Sequence, residues 1–221
     1  MATNTKVQLI KASAKLKRYT PNAAQAVECA GRVCYKSESK ITKDSSYAFC
    51  TNLLNRKHLS VIEHATATVH IVCDRGVSHE LVRHRLIAVS QESTRYCNYH
   101  KKGMRFILPF WVNKVKMNSI CTSDWYWYDA IRASAEAYND LIENGWVPEK
   151  ARTVLPNSLA TELMVTANLR EWRHIFEMRC AKDAHPQMRE IMLPLLCQFK
   201  GTPALSVFFK DFELSYDGNL K

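Results

Sequence analysis

The chain has 221 residues, 47% of them hydrophobic, and its 31 Lys and Arg residues exceed its 21 Asp and Glu residues, giving a formal net charge of +10. This apolar content, with only 6 Gly and 7 Pro, excludes a disordered chain, and no apolar run approaches the ~20 residues that a membrane-spanning helix needs. We therefore expect one domain covering residues 1–221 in a cytoplasmic protein without membrane attachment. The cysteines include no C-x-x-C pair, which predicts reduced thiols and no metal site.

Apolar periodicity predicts helices and strands in irregular order. Helices are predicted over residues 21–34, 46–56, 77–83, 123–144, 169–179 and 186–200, with Ser123 and Asn168 as caps and an interruption at Pro194. Strands are predicted over residues 65–73, 106–112 and 161–167. Because these elements do not alternate as βαβ units and the sequence has no G-x-G-x-x-G turn, we predict an α+β single domain with a mixed or antiparallel sheet flanked by helices.

A segment in the middle of the chain combines charges with hydroxyl and amide groups. Its polar residues are Arg83, His84 and Arg85 at the start and Gln91, Glu92, Ser93, Thr94 and Arg95 at the end. An aliphatic run, residues 86–89, separates the two groups, which is unusual for a solvated surface, and a core does not tolerate unpaired charges. We therefore predict a semi-buried pocket for a phosphorylated ligand, in which guanidinium groups bind phosphate oxygens in pairs.

The same residues allow a second interpretation, a basic nucleic-acid-binding protein. In that case Arg83, Arg85 and Arg95 would contact phosphates, while Tyr96 and Tyr99 would stack on bases. The lysines, however, are scattered along the chain and form no long basic arm or stripe. This distribution favours a cleft for a small anionic substrate.

Three other segments hold candidate functional residues: 57–64, 151–156 and 168–179. Each also has an ordinary structural interpretation: a polar loop, a surface arginine at a helix end, and a charged amphipathic helix. In the third segment Arg170 and His174 are four residues apart, so they share one face of the predicted helix.

Taken together, the four segments resemble the signature of flavin-dependent thymidylate synthases. The pattern typical of that family is Arg-His-Arg, then seven residues, then Ser, then Arg-Tyr two positions further on, and residues 83–96 have it. The other segments follow the order of the family's motifs over about residues 20–200. Departures occur at Glu80, where Gln is more usual, and at His174, an Asn-type position. The resemblance implies a fold of the thymidylate synthase-complementing protein type and the reductive methylation of dUMP to dTMP. Methylenetetrahydrofolate would supply the carbon, and FAD reduced by NADPH would supply the hydride.

The resemblance further implies which residues bind each ligand. Those implied to bind FAD are His58, Ser60, Glu63, Arg83, His84, Arg85, Gln91, Asn168, Leu169, Arg170, His174 and His185. Those implied to bind dUMP are Glu80, Arg83, Gln91, Glu92, Ser93, Thr94, Arg95, Arg152 and Arg179. Arg179 is implied to be catalytic, because a guanidinium near O2 and N3 of the pyrimidine would stabilise the ionised base.

This chemistry takes the place of cysteine attack on the base. Ordinary thymidylate synthases use a cysteine within Pro-Cys-His, a tripeptide that this sequence lacks, and Cys197 is expected to be a core residue of an apolar helix. Family members are homotetramers whose active sites combine residues of several subunits. The resemblance therefore implies a homotetramer with active sites at subunit interfaces, dUMP and folate as ligands, and no nucleic acid.

Overall fold

The computed structural model describes residues 7–214. The helices are α1 (Ala23–Val33), α2 (Ser45–Asn55), α3 (Arg75–Leu81), α4 (Tyr99–Lys102), α5 (Ser123–Glu143), α6 (Pro148–Ala151), α7 (Leu169–Arg179), α8 (Pro186–Gly201) and α9 (Pro203–Ser206). The strands are β1 (Val7–Ile10), β2 (Ser13–Tyr19), β3 (Thr66–Asp74), β4 (Ile87–Gln91), β5 (Met104–Ile107) and β6 (Ala160–Asn168). Strands and helices follow one another irregularly, which confirms the predicted α+β class.

Two compact units make up the described chain. The first comprises residues 7–13, 72–81 and 91–163, and the second comprises residues 14–71, 82–90 and 164–214. The expectation of a single domain over residues 1–221 stays a prediction. Within residues 7–214 we find no helix with the length and apolar character needed to cross a bilayer.

The main sheet has four strands in the order β2-β3-β6-β4, and most of its residues belong to the second unit. At one end of the sheet, the backbone N–H of Thr20 donates to the carbonyl of Thr66 at 3.0 Å. The hydroxyls of Thr68 and Thr166 lie 2.9 Å apart, so the start of β3 meets the end of β6. These pairings make the neighbouring strands antiparallel, as predicted, and leave β4 at an edge.

The core of the first unit forms where the long helix α5 packs on a small parallel sheet. β1 pairs with β5 in register from Val7–Met104 to Ile10–Ile107. The buried side chains of this core are Tyr99, Met104, Phe106, Ile131, Ala135, Tyr138, Ala151 and Leu159. Ala151, the last residue of α6, packs in this core together with residues of α5. The core therefore fixes the position of Arg152, the next residue in the chain.

An aromatic cluster stabilises the second unit and holds α7 against the sheet. Trp172 and Phe176 of α7 are fully buried, and the Phe176 ring meets the Phe199 ring edge-on at 5.1 Å between centroids. The indole N–H of Trp172 donates to the carbonyl of Ala67 in β3 at 2.9 Å. With one side of α7 anchored in this way, the helix turns Arg170 to the opposite, exposed side.

Several predicted boundaries are wrong by a few residues. The helix predicted over 77–83 is α3, which begins earlier because the Asp74 carboxylate accepts the N–H of Val77 at 2.7 Å. Thr122, not Ser123, caps α5 by accepting the N–H of Trp125 at 3.1 Å. The strand predicted over 106–112 is β5, which ends at Ile107, before Pro109 removes a backbone donor.

Two expectations about α8 are also wrong. This helix runs without a break through Pro194, and buried Ile191, Leu195 and Phe199 on either side of the proline hold it to the core. Cys197 is exposed, because Leu195 and Leu196 occupy the inward positions of that turn.

Candidate active site

The exposed side of α7 forms one wall of a cavity of about 440 Å³ in the second unit. Asn168 begins the helix by accepting the N–H of Glu171 at 2.8 Å, which confirms the predicted cap. Four residues implied to bind the flavin line the cavity: Glu63, Asn168, Arg170 and His174. The i, i+4 spacing of Arg170 and His174 therefore places them on one face, as the sequence predicts.

Arg170 and Glu63 form the polar contact at the mouth of this cavity. Nη1 of Arg170 lies 2.6 Å from Oε1 of Glu63, although the residues are 107 positions apart in the chain. Both side chains are largely exposed, so the pair contributes little to stability by itself. Its effect is to orient a guanidinium toward the space where an anionic group can bind.

Behind the cavity, His84 is the centre of a buried polar cluster. Its Nδ1 lies 3.3 Å from Oε1 of Glu171, and its Nε2 accepts a hydrogen bond of 3.0 Å from Nε of Arg179. The His84 and His174 rings meet edge-on at 5.5 Å between centroids. Burial, followed by the charges of Arg179 and His174, lowers the pKa of His84 from 6.5 to about 4, so this imidazole is neutral at pH 7.

Ligand-type atoms of His84, Glu171 and His174 lie within 4.8 Å of one another, an arrangement that resembles a metal site. The Arg179 guanidinium, however, already donates to Nε2 of His84. A second cation next to Arg179 would be repelled, and the buried imidazole would lose that hydrogen bond. The geometry therefore favours a hydrogen-bonded cluster over a metal centre.

The remaining residues implied to bind the flavin are separate from this cavity. His58 and Ser60 line a second cavity of about 500 Å³ in the same unit, together with Arg32 and Arg56. Leu169 is buried, and its backbone N–H donates to Ala65. Exposed positions are held by Arg83, Arg85 and His185.

Most residues implied to bind dUMP lie in the first unit, whereas Arg83 and Arg179 lie in the second. Nη1 of Arg152 donates to the Thr94 hydroxyl at 3.1 Å, and Arg95 pairs with Glu149 at 3.5 Å. The Ser93 hydroxyl accepts the backbone N–H of Arg95 at 3.2 Å, so these side chains form one cluster.

Gln91 and Glu92 lie beside that cluster. The Gln91 amide donates to the hydroxyls of Ser78 and Thr161 at 3.1 and 3.2 Å. The backbone N–H of Glu92 bonds to the carbonyl of Glu162 at 2.9 Å. Glu80 is half-buried in the same unit. The residues of the predicted semi-buried pocket differ in exposure. Thr94 and His84 are buried within their units, whereas Arg83, Arg85 and Arg95 are exposed.

Glu171 is a buried residue of the site that the sequence analysis missed, and Arg173, which also lines the cavity, is another. Burial raises the pKa of the Glu171 carboxyl group, while the nearby charges of His174 and Arg170 act in the opposite direction. Its position three residues before His174 was the available signal, because residues at i and i+3 are neighbours on a helix.

Comparison with known proteins places this geometry in a family. Residues 15–202 match the model of the family described as thymidylate synthase complementing protein. A flavin-dependent thymidylate synthase of Geobacter sulfurreducens is 35% identical over 194 residues, which cover 84% of this chain and 81% of that protein. The chain belongs to the flavin-dependent thymidylate synthase family.

Other relatives extend the match. The flavin-dependent thymidylate synthase of Mycobacterium tuberculosis is 32% identical over 206 residues, 86% of this chain and 79% of that protein. The Pyrococcus abyssi member is 30% identical over 192 residues, 82% of this chain and 76% of that protein. The family resemblance of the sequence motifs is therefore confirmed.

A solved structure supports the fold. The UMP/dUMP methylase PolB of Streptomyces cacaoi, bound with 5-Br dUMP, aligns with a TM-score of 0.76 and 22% sequence identity, over 93% of this chain and 96% of that one. This similarity confirms the predicted fold type of the family.

Proposed function

We propose that this chain catalyses the reductive methylation of dUMP to dTMP, with FAD as its cofactor and with NADPH and methylenetetrahydrofolate as co-substrates. The observation that carries the proposal is the Arg179–His84 hydrogen bond of 3.0 Å. This bond holds the guanidinium of Arg179 against the neutral, buried imidazole of His84. Arg179 is the residue that the family resemblance implies to activate the pyrimidine.

Electrostatics explains what Arg179 would do to the base. Methylation at C5 requires an electron-rich uracil, and ionisation of the base places negative charge on its oxygens. A fixed guanidinium stabilises that charge at little reorganisation cost, since its orientation is set before the reaction. Because His84 is neutral, it does not compete with the base for Arg179 as an anion would.

The Arg152–Thr94–Arg95 cluster would bind the phosphate of dUMP. Guanidinium groups bind phosphate oxygens in pairs, and in the first unit Arg152 bonds the hydroxyl of Thr94 while Arg95 is the next residue in the chain. Arg83, which is exposed in the second unit, is a further phosphate-binding residue that the family resemblance implies. The contact of Arg95 with Glu149 is largely exposed, so a phosphate can replace the carboxylate at low cost.

The cavity beside α7 fits part of a flavin nucleotide. Its volume of about 440 Å³ lies within the ~300–1,000 Å³ of ordinary ligand pockets. Arg170 would bind an anionic or carbonyl group, while Asn168 and His174 offer polar contacts and Leu59 and Leu86 offer apolar surface. FAD, when bound and reduced, supplies the hydride that completes the methyl group.

Assembly into a homotetramer is part of the proposal, with dUMP and folate bound at sites shared between subunits. Supporting it, β4 is an edge strand with exposed apolar side chains next to it and within it: Leu86, just before the strand, is 71% exposed, and Val89, at its centre, is 36% exposed. An exposed edge strand with apolar side chains is a surface on which another chain can pair. Light scattering at micromolar concentration should give the mass of a tetramer, and a monomer there would contradict this part.

The alternative of a nucleic-acid-binding protein is not favoured, given the family of the chain. It also has a distinct expectation, a steep loss of polynucleotide binding as salt rises. A cytoplasmic location stays a prediction.

The visible absorption spectrum is the first test of the proposed function. We expect the purified protein, after addition of FAD and gel filtration, to keep a flavin band. Addition of NADPH under anaerobic conditions should then bleach it. A protein that emerges colourless from the column after FAD addition would count against the proposal.

A further inference from the structure

Three side chains in the second unit are joined in sequence by one hydrogen bond and one close polar contact. Glu171 Oε1 lies 3.3 Å from Nδ1 of His84, and Nε2 of His84 lies 3.0 Å from Nε of Arg179. Glu171 and His84 are both buried, whereas Arg179 is half-buried. The line therefore runs from the interior toward the guanidinium on which the proposed function rests.

The donors in this line fix the tautomer of His84. The Nε–H of Arg179 can only donate, so Nε2 of His84 must accept and carries no proton. A neutral imidazole has its proton on the other nitrogen, which places the N–H at Nδ1, and this atom lies 3.3 Å from a carboxylate oxygen of Glu171. Each atom in the line then has the hydrogen-bonding role that its neighbour requires.

We propose that Glu171 is a positioning residue for catalysis, which acts through the Nδ1–H tautomer of His84 to hold the guanidinium of Arg179 in a fixed orientation. This inference rests on the proposed function, because Arg179 is catalytic only within it. A carboxylate that orients an imidazole is a recurrent means of fixing a reactive group indirectly.

Loss of the Glu171 acceptor has a specific consequence for Arg179. Without that acceptor, only the N–H of Arg179 favours the proton at Nδ1, and the Nε2–H tautomer becomes more accessible. That tautomer would point an N–H at the Nε–H of Arg179, and two opposed donors cannot hydrogen-bond. The guanidinium would then rotate away from its present position.

Two variants separate orientation from charge. Glu171→Gln removes the negative charge but keeps an oxygen that accepts from Nδ1 of His84, whereas Glu171→Ala removes the acceptor. Asp211→Ala is the matched control, since Asp211 also pairs with a side chain of α7, Arg173, at 2.6 Å, and Asp211 itself is not among the residues that line the cavity.

The kinetic readout compares turnover with binding. We expect Glu171→Ala to lower kcat for tritium release from C5-labelled dUMP about 10–100-fold, the usual effect of removing an orienting partner. KM for dUMP and NADPH oxidation with oxygen should stay close to wild type, and Glu171→Gln should recover most of kcat. Asp211→Ala should lower the melting temperature and leave kcat unchanged. Wild-type kcat in Glu171→Ala, or equal losses in Glu171→Ala and Glu171→Gln, would overturn the proposal.

A second readout needs neither cofactor nor turnover. Nitrogen-15 NMR of the imidazoles, with His84→Gln to assign the signal, should show a neutral His84 with the proton on Nδ1 in wild type and in Glu171→Gln. An Nε2–H tautomer of His84 in wild type would overturn the proposed role of Glu171 even if the enzyme is active. Conversely, a wild type that shows the expected tautomer but releases no tritium would refute the proposed function and leave the arrangement of Glu171, His84 and Arg179 intact.

Discussion

Nη1 of Arg152 donates to the hydroxyl of Thr94 across 3.1 Å, although 58 positions separate the two residues in the chain. The contact joins the turn after α6 to the segment after β4, and Arg95 extends from the next position. The guanidinium of Arg152 thus bonds this hydroxyl before any ligand binds, and a second arginine follows Thr94 directly in the chain. Such preorganisation reduces the conformational entropy lost when a phosphate is bound.

The first prediction concerns that cluster. Arg95→Ala and Arg152→Ala should each raise the dissociation constant of dUMP more than about tenfold, because a charge-assisted hydrogen bond contributes roughly 1.5–3 kcal/mol. Isothermal titration calorimetry measures the change, and FAD should remain bound. Arg132→Ala is the control, since Arg132 is an exposed arginine of the same unit that pairs with Asp129. Unchanged dUMP affinity in Arg95→Ala would remove Arg95 from the site.

The second prediction concerns the flavin. Arg170→Ala should weaken FAD binding by about tenfold, because it removes the guanidinium that Glu63 orients over the cavity. Quenching of flavin fluorescence gives the affinity. Arg18→Ala, at an exposed position of β2, should bind FAD as wild type does. If both variants lose FAD equally, net charge rather than the Arg170 contact determines binding.

The third prediction separates catalysis from binding at Arg179. Arg179→Ala should lose about 10²–10³ in the rate of tritium release from C5-labelled dUMP, the usual scale for one electrostatic donor. Arg179→Lys should recover little, because a point charge on a flexible chain cannot reproduce a planar guanidinium. NADPH oxidation by oxygen should continue in both variants, since reduction of the flavin needs no ionised pyrimidine. A parallel fall of both activities would mean that Arg179 maintains the shape of the pocket instead.

The fourth prediction follows from the pKa of His84. Because burial and Arg179 lower that pKa from 6.5 to about 4, the unfolded chain binds a proton between these pH values that the folded chain does not. The free energy of unfolding should therefore fall as pH drops from 6.5 to 4. Its slope against pH should be steeper than in His84→Gln by an amount that corresponds to the uptake of up to about one proton on unfolding. Urea titrations of both proteins at several pH values test this. Identical slopes would mean that His84 is protonated normally in the fold.

Local signals in the sequence predicted much of this structure. Asn168 before an apolar-periodic segment predicted α7, and the i, i+4 spacing predicted that Arg170 and His174 share a face. The alternation of Thr66, Thr68 and His70 with apolar residues predicted β3.

Long-range contacts were beyond such signals. β4 was not predicted, because its pattern of exposure reflects an edge position in the sheet, which depends on tertiary pairing. Glu171 was not singled out, because a glutamate in the first turn of a helix is already explained by the helix dipole. A different role for Glu171 becomes visible only from its contact with His84, which lies 87 residues earlier in the chain.

Formation of dTMP by the purified protein is the most direct test of the proposed function. The complete mixture contains dUMP, FAD, NADPH and methylenetetrahydrofolate, and the product is separated by chromatography. We predict that dTMP forms with release of tritium from C5, and that omission of the folate or removal of the flavin abolishes it. No dTMP in the complete mixture, from protein that is folded and has bound FAD, would contradict the account.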